Sequence, residues 1–506
     1  MSTALRLSRG AGLSASRLVV SLVGQLAAVP IYLTNWSAQE YGVWLILQGM
    51  FGFLILFSAA FQQYTYGELL KLGPGAPDAL RAVWQGSLCA GYLIALMEFC
   101  AVLGLGPTVV STAINAAVSS HAEEISGTVV QLLFIYSGVQ LIIMPFGSLT
   151  GYVLSINGQF PRVAAWGLLN TTLVLFAPVV AVVFGAELMI AGLVYIGAHL
   201  LSGVLNVLDF ARMARRFDLL ERQPIMWRMS LRNTIYCLPL ALRGLLDSFR
   251  QQGFRILLGG YAGAASVTTF VTTRTIANLM QQGLGTLSAP VMPELMRYVV
   301  NRDQIRMEGA FSLIWLLAFV ALVPFTVVLF YFAEPFFLFW TKGAVNFDRL
   351  LFALFSTAVL IYAAGQPALT ILTGQNRVAW LIVISVVAAA SLGILSTLLI
   401  PAFSLHGAGF ALIGAELCAM TIAVVGADRA LRQSGLTIPW YSFTLVIANI
   451  ASVFALFLLA GYDMAGQSLL MVILLIIDGL FTAVYWLSIP QLARDHILGS
   501  LAAIWR

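Results

Sequence analysis

The chain has 506 residues, of which 60% are hydrophobic and only 9% charged, against roughly 25% charged in ordinary soluble domains. Twenty-six Lys and Arg with 21 Asp and Glu, at a mean hydropathy of +0.94, cannot cover an aqueous surface, which excludes a large soluble domain. The net charge of +5 is therefore read against a membrane, and the expectation is an all-α polytopic membrane protein with no nucleic-acid partner.

In chain order, apolar runs of about 20 residues predict fourteen transmembrane helices. Six fall in an N-terminal lobe (1–208), near 13–34, 41–63, 82–105, 125–154, 163–185 and 188–208. Arg6 and Arg9 precede the first run, but it is too long for a signal-peptide core, so it is expected to stay as a helix. A basic cytoplasmic linker (209–232) follows, with Arg212, Arg215, Arg216, Arg222, Arg228 and Arg232. It reads either as an amphipathic segment on the anionic inner leaflet or as a solvated loop that sets topology. Six more runs make a second lobe (233–432), near 233–258, 266–288, 309–333, 350–373, 378–400 and 407–427. Two additional helices, 440–461 and 466–490, occupy 433–490, and a cytoplasmic tail (491–506) ends in a short interfacial segment at Trp505.

Basic residues choose the orientation. The N-terminus, the even-numbered loops and the tail hold 19 Lys or Arg, and the odd-numbered loops hold 2, Lys342 and Arg349. That asymmetry predicts both termini on the cytoplasmic side of the membrane.

The chain also looks duplicated. GQFPRVAAW (158–166) recurs as GQNRVAW (374–380), and AGLVYIGAHL (191–200) recurs as AGFALIGAEL (408–417), displaced by 216 and 217 residues. A shift of six spans preserves orientation, which predicts two parallel-repeat lobes with a central cavity.

Ionisable residues inside spans each cost roughly 2.5–3.5 kcal/mol on insertion scales, so they mark candidate sites. The seventh span carries Arg243, Asp247, Arg250 and Arg255 with Gln251 and Gln252. At about 100° per residue, Arg243, Asp247, Arg250 and Gln251 share one face. The stripe is either the wall of a water-filled, anion-attracting cavity or an ion-pair ladder packed on another helix. The eighth span adds Arg274 on a face with Thr268, Thr272, Thr275 and Asn278. Arg17 and Gln25 in the first span match Arg243 and Gln251 in spacing, although Arg17 lies close enough to the inner boundary to snorkel. Glu98, Glu416 and Asp478 are each either an ion relay or a protonated group bonded across a helix interface, and Asp247 joins them as a candidate for ion coupling. His199 occupies the repeat position of Glu416 and reads first as packing. Cys89, Cys100, Cys237 and Cys418 lie in or beside apolar runs, where thiols act as small packing groups. No catalytic constellation, metal-ligand spacing or phosphate loop occurs, so neither an enzyme, a metal nor a cofactor is expected.

The stretch 24–61, with Tyr41, Gly42 and Trp44 opening the second span, resembles the first helical hairpin of Wzx-type polysaccharide flippases of the multidrug/oligosaccharidyl-lipid/polysaccharide exporter superfamily. LSAPVMPEL (287–295) and LHGAGFALIGAEL (405–417) are similar to that superfamily's eighth and twelfth spans. The resemblance implies alternating access by two six-helix lobes, with a polyprenyl-pyrophosphate-linked oligosaccharide as substrate. Membrane lipids and other polysaccharide-assembly proteins are the implied partners. Arg243, Arg250, Arg274, Arg17, Gln251 and Arg255 would then hold pyrophosphate or an acidic glycan, arginine being planar, always charged and weakly hydrated. The competing expectations are a cation-coupled multidrug exporter of the same superfamily and a membrane glycan polymerase or ligase. The second of these tends to need an outside loop longer than 106–124 or 334–349.

Overall fold

The computed structural model describes residues 3–72, 77–118, 121–221, 227–250, 254–288, 291–317, 322–375, 377–462 and 467–489, with 320, 491 and 494 singly. The expected interfacial segment at Trp505 lies outside the described residues. The chain divides into two compact units, Met1–Thr268 and Thr269–Arg506.

In the first unit, α1 (Thr3–Asn35) ends in a tight turn that the sequence dictates. Ser37 Oγ accepts the Glu40 N–H at 3.2 Å and the Glu40 carboxylate accepts the Ser37 N–H at 2.8 Å, a reciprocal cap that starts α2 (Ala38–Leu54). The second predicted span is not one rod: α2 and α3 (Leu56–Leu72) meet at Ile55 with a 44° bend. Then come α4 (Pro77–Ala117) and α5 (Ala122–Leu154), and a wide turn at 155–159 that leads into α6 (Phe160–Val183). Gly158, at φ 79°, supplies the left-handed residue this turn needs. α7 (Leu188–Arg216) extends past the predicted membrane boundary and carries three of the linker arginines.

The core at one end of these helices is Leu69, Leu80, Trp84, Leu149, Val153 and Ala214. Beyond α7 the chain folds back on α4: Gln85 Nε2 donates to the Leu219 and Glu221 carbonyls at 3.0 and 2.6 Å, and Arg81 pairs with the Glu221 carboxylate at 2.5 Å. Residues 217–221 are thus held against protein.

The seventh predicted span is three short helices, α8 (Trp227–Tyr236), α9 (Leu238–Ser248) and α10 (Phe254–Ala262). Pro239 sits at the start of α9, where a missing N–H is tolerated and a continuous helix is not. These pieces pack on α2, α3 and α4. α11 (Ala264–Ser288) begins in the first unit and continues into the second.

The second unit contains α12 (Val291–Val300), α13 (Gln304–Leu317) and α14 (Val323–Thr341). The predicted span 309–333 covers parts of the last two, with 318, 319 and 321 between them outside the described residues and Pro324 at the start of α14. α15 (Arg349–Gly374) is buried along most of its length and is flanked by α14, α16 (Val378–Arg432) and α17 (Trp440–Tyr462). α16 merges the eleventh and twelfth predicted spans across a backbone break at Ser404, φ 50° and ψ −129°, just after Pro401. α18 (Gln467–Ser488) packs on α17 and α14.

Among the described residues, nine helices are long and apolar enough to cross a membrane, or ten with the bent α2–α3 pair. The runs Ala122–Val183 and Val378–Arg432 each count once there although each contains a break. The described helices therefore do not resolve into fourteen separate long spans, and the architecture is that of an all-α, multi-pass membrane protein.

Candidate functional site

Inside the first unit, α1, α5, α6 and α7 enclose a cavity of about 380 Å³, within the range of about 300–1,000 Å³ usual for small-ligand sites. Arg17 enters it from α1. Its Nε donates to Thr171 Oγ1 at 2.9 Å, which fixes the guanidinium while leaving the side chain exposed. A Cβ on Gly167 would lie 3.3 Å from Arg17 Nη1, so this glycine makes room for the guanidinium.

Polar side chains line part of the rest, beside apolar Ile55, Ile143, Met144, Val163 and Phe210. α5 gives Tyr136, Gln140 and Ser148; α6 gives Trp166 and Asn170; α7 gives His199, Ser202 and Asn206. The α7 positions recur at spacings of three and four, so they share one helix face. Ser202 Oγ donates to Asn170 Oδ1 at 2.6 Å, tying α7 to α6 at the cavity. Trp166 Nε1 donates to Asp209 Oδ2 at 2.8 Å, so its N–H is engaged outside the cavity lining. Asp209 also holds Arg162, whose Nε donates to Oδ2 at 2.7 Å while Nη2 contacts Oδ1. The lining contains no Asp or Glu. His199 stands edge-on to Tyr136 and Tyr195 with ring centroids 5.5 and 5.0 Å apart, so it both packs and lines the cavity.

The other predicted residues lie elsewhere. Arg243 and Asp247 form an i, i+4 ion pair at 3.6 Å on α9, each about one-third exposed. Such a pair contributes at most about 1 kcal/mol. Arg250 is half-buried just past α9 and makes contacts of its own. Gln251 lies outside the described residues. Arg255, on α10, is half-buried near enough to Tyr41 to interact with its phenol. Arg243, Asp247, Arg250 and Arg255 are not in the cavity lining. Arg274 belongs to the second unit, where its guanidinium carbon sits 5.8 Å from the Phe270 ring centroid. Gln25, the repeat partner of Gln251, is exposed and donates to Ser21 Oγ at 3.0 Å.

The membrane-embedded carboxylates have three settings. Glu98 on α4 accepts the Ser58 N–H at 2.9 Å and the Ser58 hydroxyl, so it caps the start of α3 just past the bend. Asp478 is buried and accepts from Asn449 Nδ2 at 3.1 Å, joining α18 to α17. Glu416 is buried on α16 with partners of its own.

Scanning for charge found Arg17 but passed over Gln140, Asn170, Ser202 and Asn206. The signal that finds them is polar residues repeating every three or four positions along otherwise apolar helices.

No protein-family model matches this sequence, and no curated protein matches it. Solved structures do. The lipid II flippase MurJ, in an inward closed conformation, superposes with a TM-score of 0.66 at 13% identity, over 94% of this chain and 98% of that one. An inward-facing multidrug resistance MATE family transporter of the MOP superfamily gives 0.63 at 14% identity, over 83% and 99%. A MOP superfamily transporter from Pyrococcus furiosus gives 0.56 at 14%, over 86% and 97%. At these identities the likeness is one of architecture: the chain has the fold of MOP-superfamily transporters.

Proposed function

We propose that this protein is a transporter, not an enzyme, that flips a polyprenyl-pyrophosphate-linked oligosaccharide across the bacterial inner membrane by alternating access, with both termini cytoplasmic. The observation that carries this reading is the first-unit cavity, where Arg17 stands among amides, hydroxyls and aromatic rings with no acid in the lining. Amide donors and flat aromatic rings suit a glycan, and a fixed guanidinium suits an anion. The fold likeness to a lipid II flippase supports the same class of cargo. Arg17 is the proposed contact to pyrophosphate or acidic sugar in this cavity, and Arg243, Arg250, Arg255, Arg274 and Gln251 stay proposed contacts on the sequence argument alone. Membrane lipids and other polysaccharide-assembly proteins are the proposed partners.

A second reading, a cation-coupled multidrug exporter, draws on the likeness to MATE transporters and on the embedded carboxylates Asp247, Glu98, Glu416 and Asp478, which would serve ion coupling. One experiment separates the two. The pure protein in liposomes is given a pyrophosphate-linked oligosaccharide, and its exposure on the far face is followed with a glycan-modifying enzyme. Rapid exposure in wild type, reduced about tenfold or more in Arg17→Met with folded protein retained, is the expected result. Absence of glycolipid transfer together with gradient-driven uptake of a cationic dye overturns it in favour of the exporter.

A further inference from the structure

The two halves of the repeat differ where the fifth and eleventh predicted spans begin. In the first half, Arg162 and Trp166 of the GQFPRVAAW segment both converge on Asp209. In the second half, the matching Arg377 and Trp380 meet no such acid among the described residues, and the residue 217 positions beyond Asp209 is Gly426. A Cβ there would lie 2.8 Å from the Trp380 ring, so the indole occupies the space that a side chain would need.

Positive charge gathers around that indole. Arg429 stacks over Trp380 at 5.4 Å, and Arg377 Nη2 donates to Gln433 Oε1 at 2.6 Å, one turn past Arg429. Arg432 is neutralised by Asp428 at 2.7 Å. Among the described residues Arg377 and Arg429 have only neutral partners: Gln375, Gln433 and the Trp380 face. Arg377 is also the N-cap of α16, and no side chain caps that helix start, so its first N–H groups add positive potential at the same place. Two guanidiniums and a helix N-terminus are a receptor for a phosphate group.

Apolar surface adjoins the cluster. Val378, next to Arg377 on the outgoing leg of α16, and Val425, one turn before Arg429 on its return leg, form this short valine strip and are 41% and 36% exposed. A soluble phosphate has no use for this strip, whereas acyl chains do. The basic residues assign this end of the chain to the cytoplasmic face, whose leaflet is anionic. Trp380 matches the interfacial preference of indole.

We infer that Arg377, Arg429 and the start of α16 bind the headgroup phosphate of one anionic phospholipid of the inner leaflet, with its tails along the valine strip. The site is independent of the transported cargo.

The test is native mass spectrometry of the full-length protein in detergent with added phosphatidylglycerol or phosphatidylcholine. Wild type is expected to retain one phosphatidylglycerol per chain through collisional activation, at about fivefold or more over phosphatidylcholine. The Arg377→Gln/Arg429→Gln variant loses that lipid, while Arg162→Gln, at the matching place in the first half, keeps it. Should the double variant not fold, Arg429→Gln alone decides, since Arg429 is exposed. Equal retention of both lipids, or retention unchanged in the variants, overturns the proposal. Displacement of the lipid by millimolar inorganic phosphate assigns the site to a soluble anion and overturns the lipid.

Discussion

Arg17 is anchored as well as charged. Thr171 holds Nε at 2.9 Å, and the bare Cα of Gly167 lets Nη1 lie close against α6. The Nη edge is then presented in one orientation, and binding an anion costs little further side-chain entropy. A methyl on Gly167 would sit 3.3 Å from Nη1, tighter than ordinary contact, so the guanidinium must shift by a few tenths of an ångström. Gly167→Ala is therefore expected to keep the fold, since a helix interior favours Ala by about 1 kcal/mol over Gly. It should nonetheless weaken glycolipid transfer about tenfold, the loss of one charge-assisted hydrogen bond being about 1.5–3 kcal/mol. Melting temperature and liposome transfer, measured together, check this. A variant with raised stability and unchanged transfer would show that the position of Arg17 does not matter.

At the scale of elements, the bend between α2 and α3 needs a partner for the N–H groups that the break exposes. That partner comes from another helix: the Glu98 carboxylate of α4 accepts both the backbone N–H and the hydroxyl of the buried Ser58. Leucine at position 98 leaves a buried N–H without its acceptor, at a cost of about 1–3 kcal/mol. Ser58→Ala removes only the hydroxyl and keeps the backbone bond, so it should cost less. Thermal melts of Glu98→Leu and Ser58→Ala in detergent are expected in that order, and equal melting temperatures would remove Glu98 as the cap of α3. Hydropathy placed the second span but not its bend, because apolar residues run unbroken through Ile55. The break before α9 carried a visible sign, Pro239 at the helix start, but a 20-residue window averages over a proline.

For the whole molecule, long apolar runs made the membrane class and most helices legible, while the way the chain divides was not. Contacts place α8–α10 with the first unit, although the repeat count began a second lobe at 233. Periodicity says how long a helix is, and packing partners are set by side-chain shape, which one sequence does not spell out. The Tyr41, Gly42 and Trp44 segment that carried the family resemblance turns out to be such a packing device. Tyr41 stacks on Tyr32 with ring centroids 5.1 Å apart, and Trp44 meets Tyr195 edge-on at 5.8 Å. A Cβ on Gly42 would lie 2.0 Å from the Ala264 carbonyl oxygen, so α2 and the start of α11 touch backbone to backbone. This closeness joins the segment before residue 222 to the segment after 226 within one unit. Fragments 1–224 and 225–506 expressed together are accordingly expected to copurify. Gly42→Ala in the shorter fragment should lower recovery of the longer one about tenfold, overpacking against backbone costing about 1–3 kcal/mol. Gly67→Ala, with nothing within 4 Å of the new methyl, is the matched control and should leave recovery unchanged. Equal recovery with both variants would mean that α2 does not rest on the turn before α11.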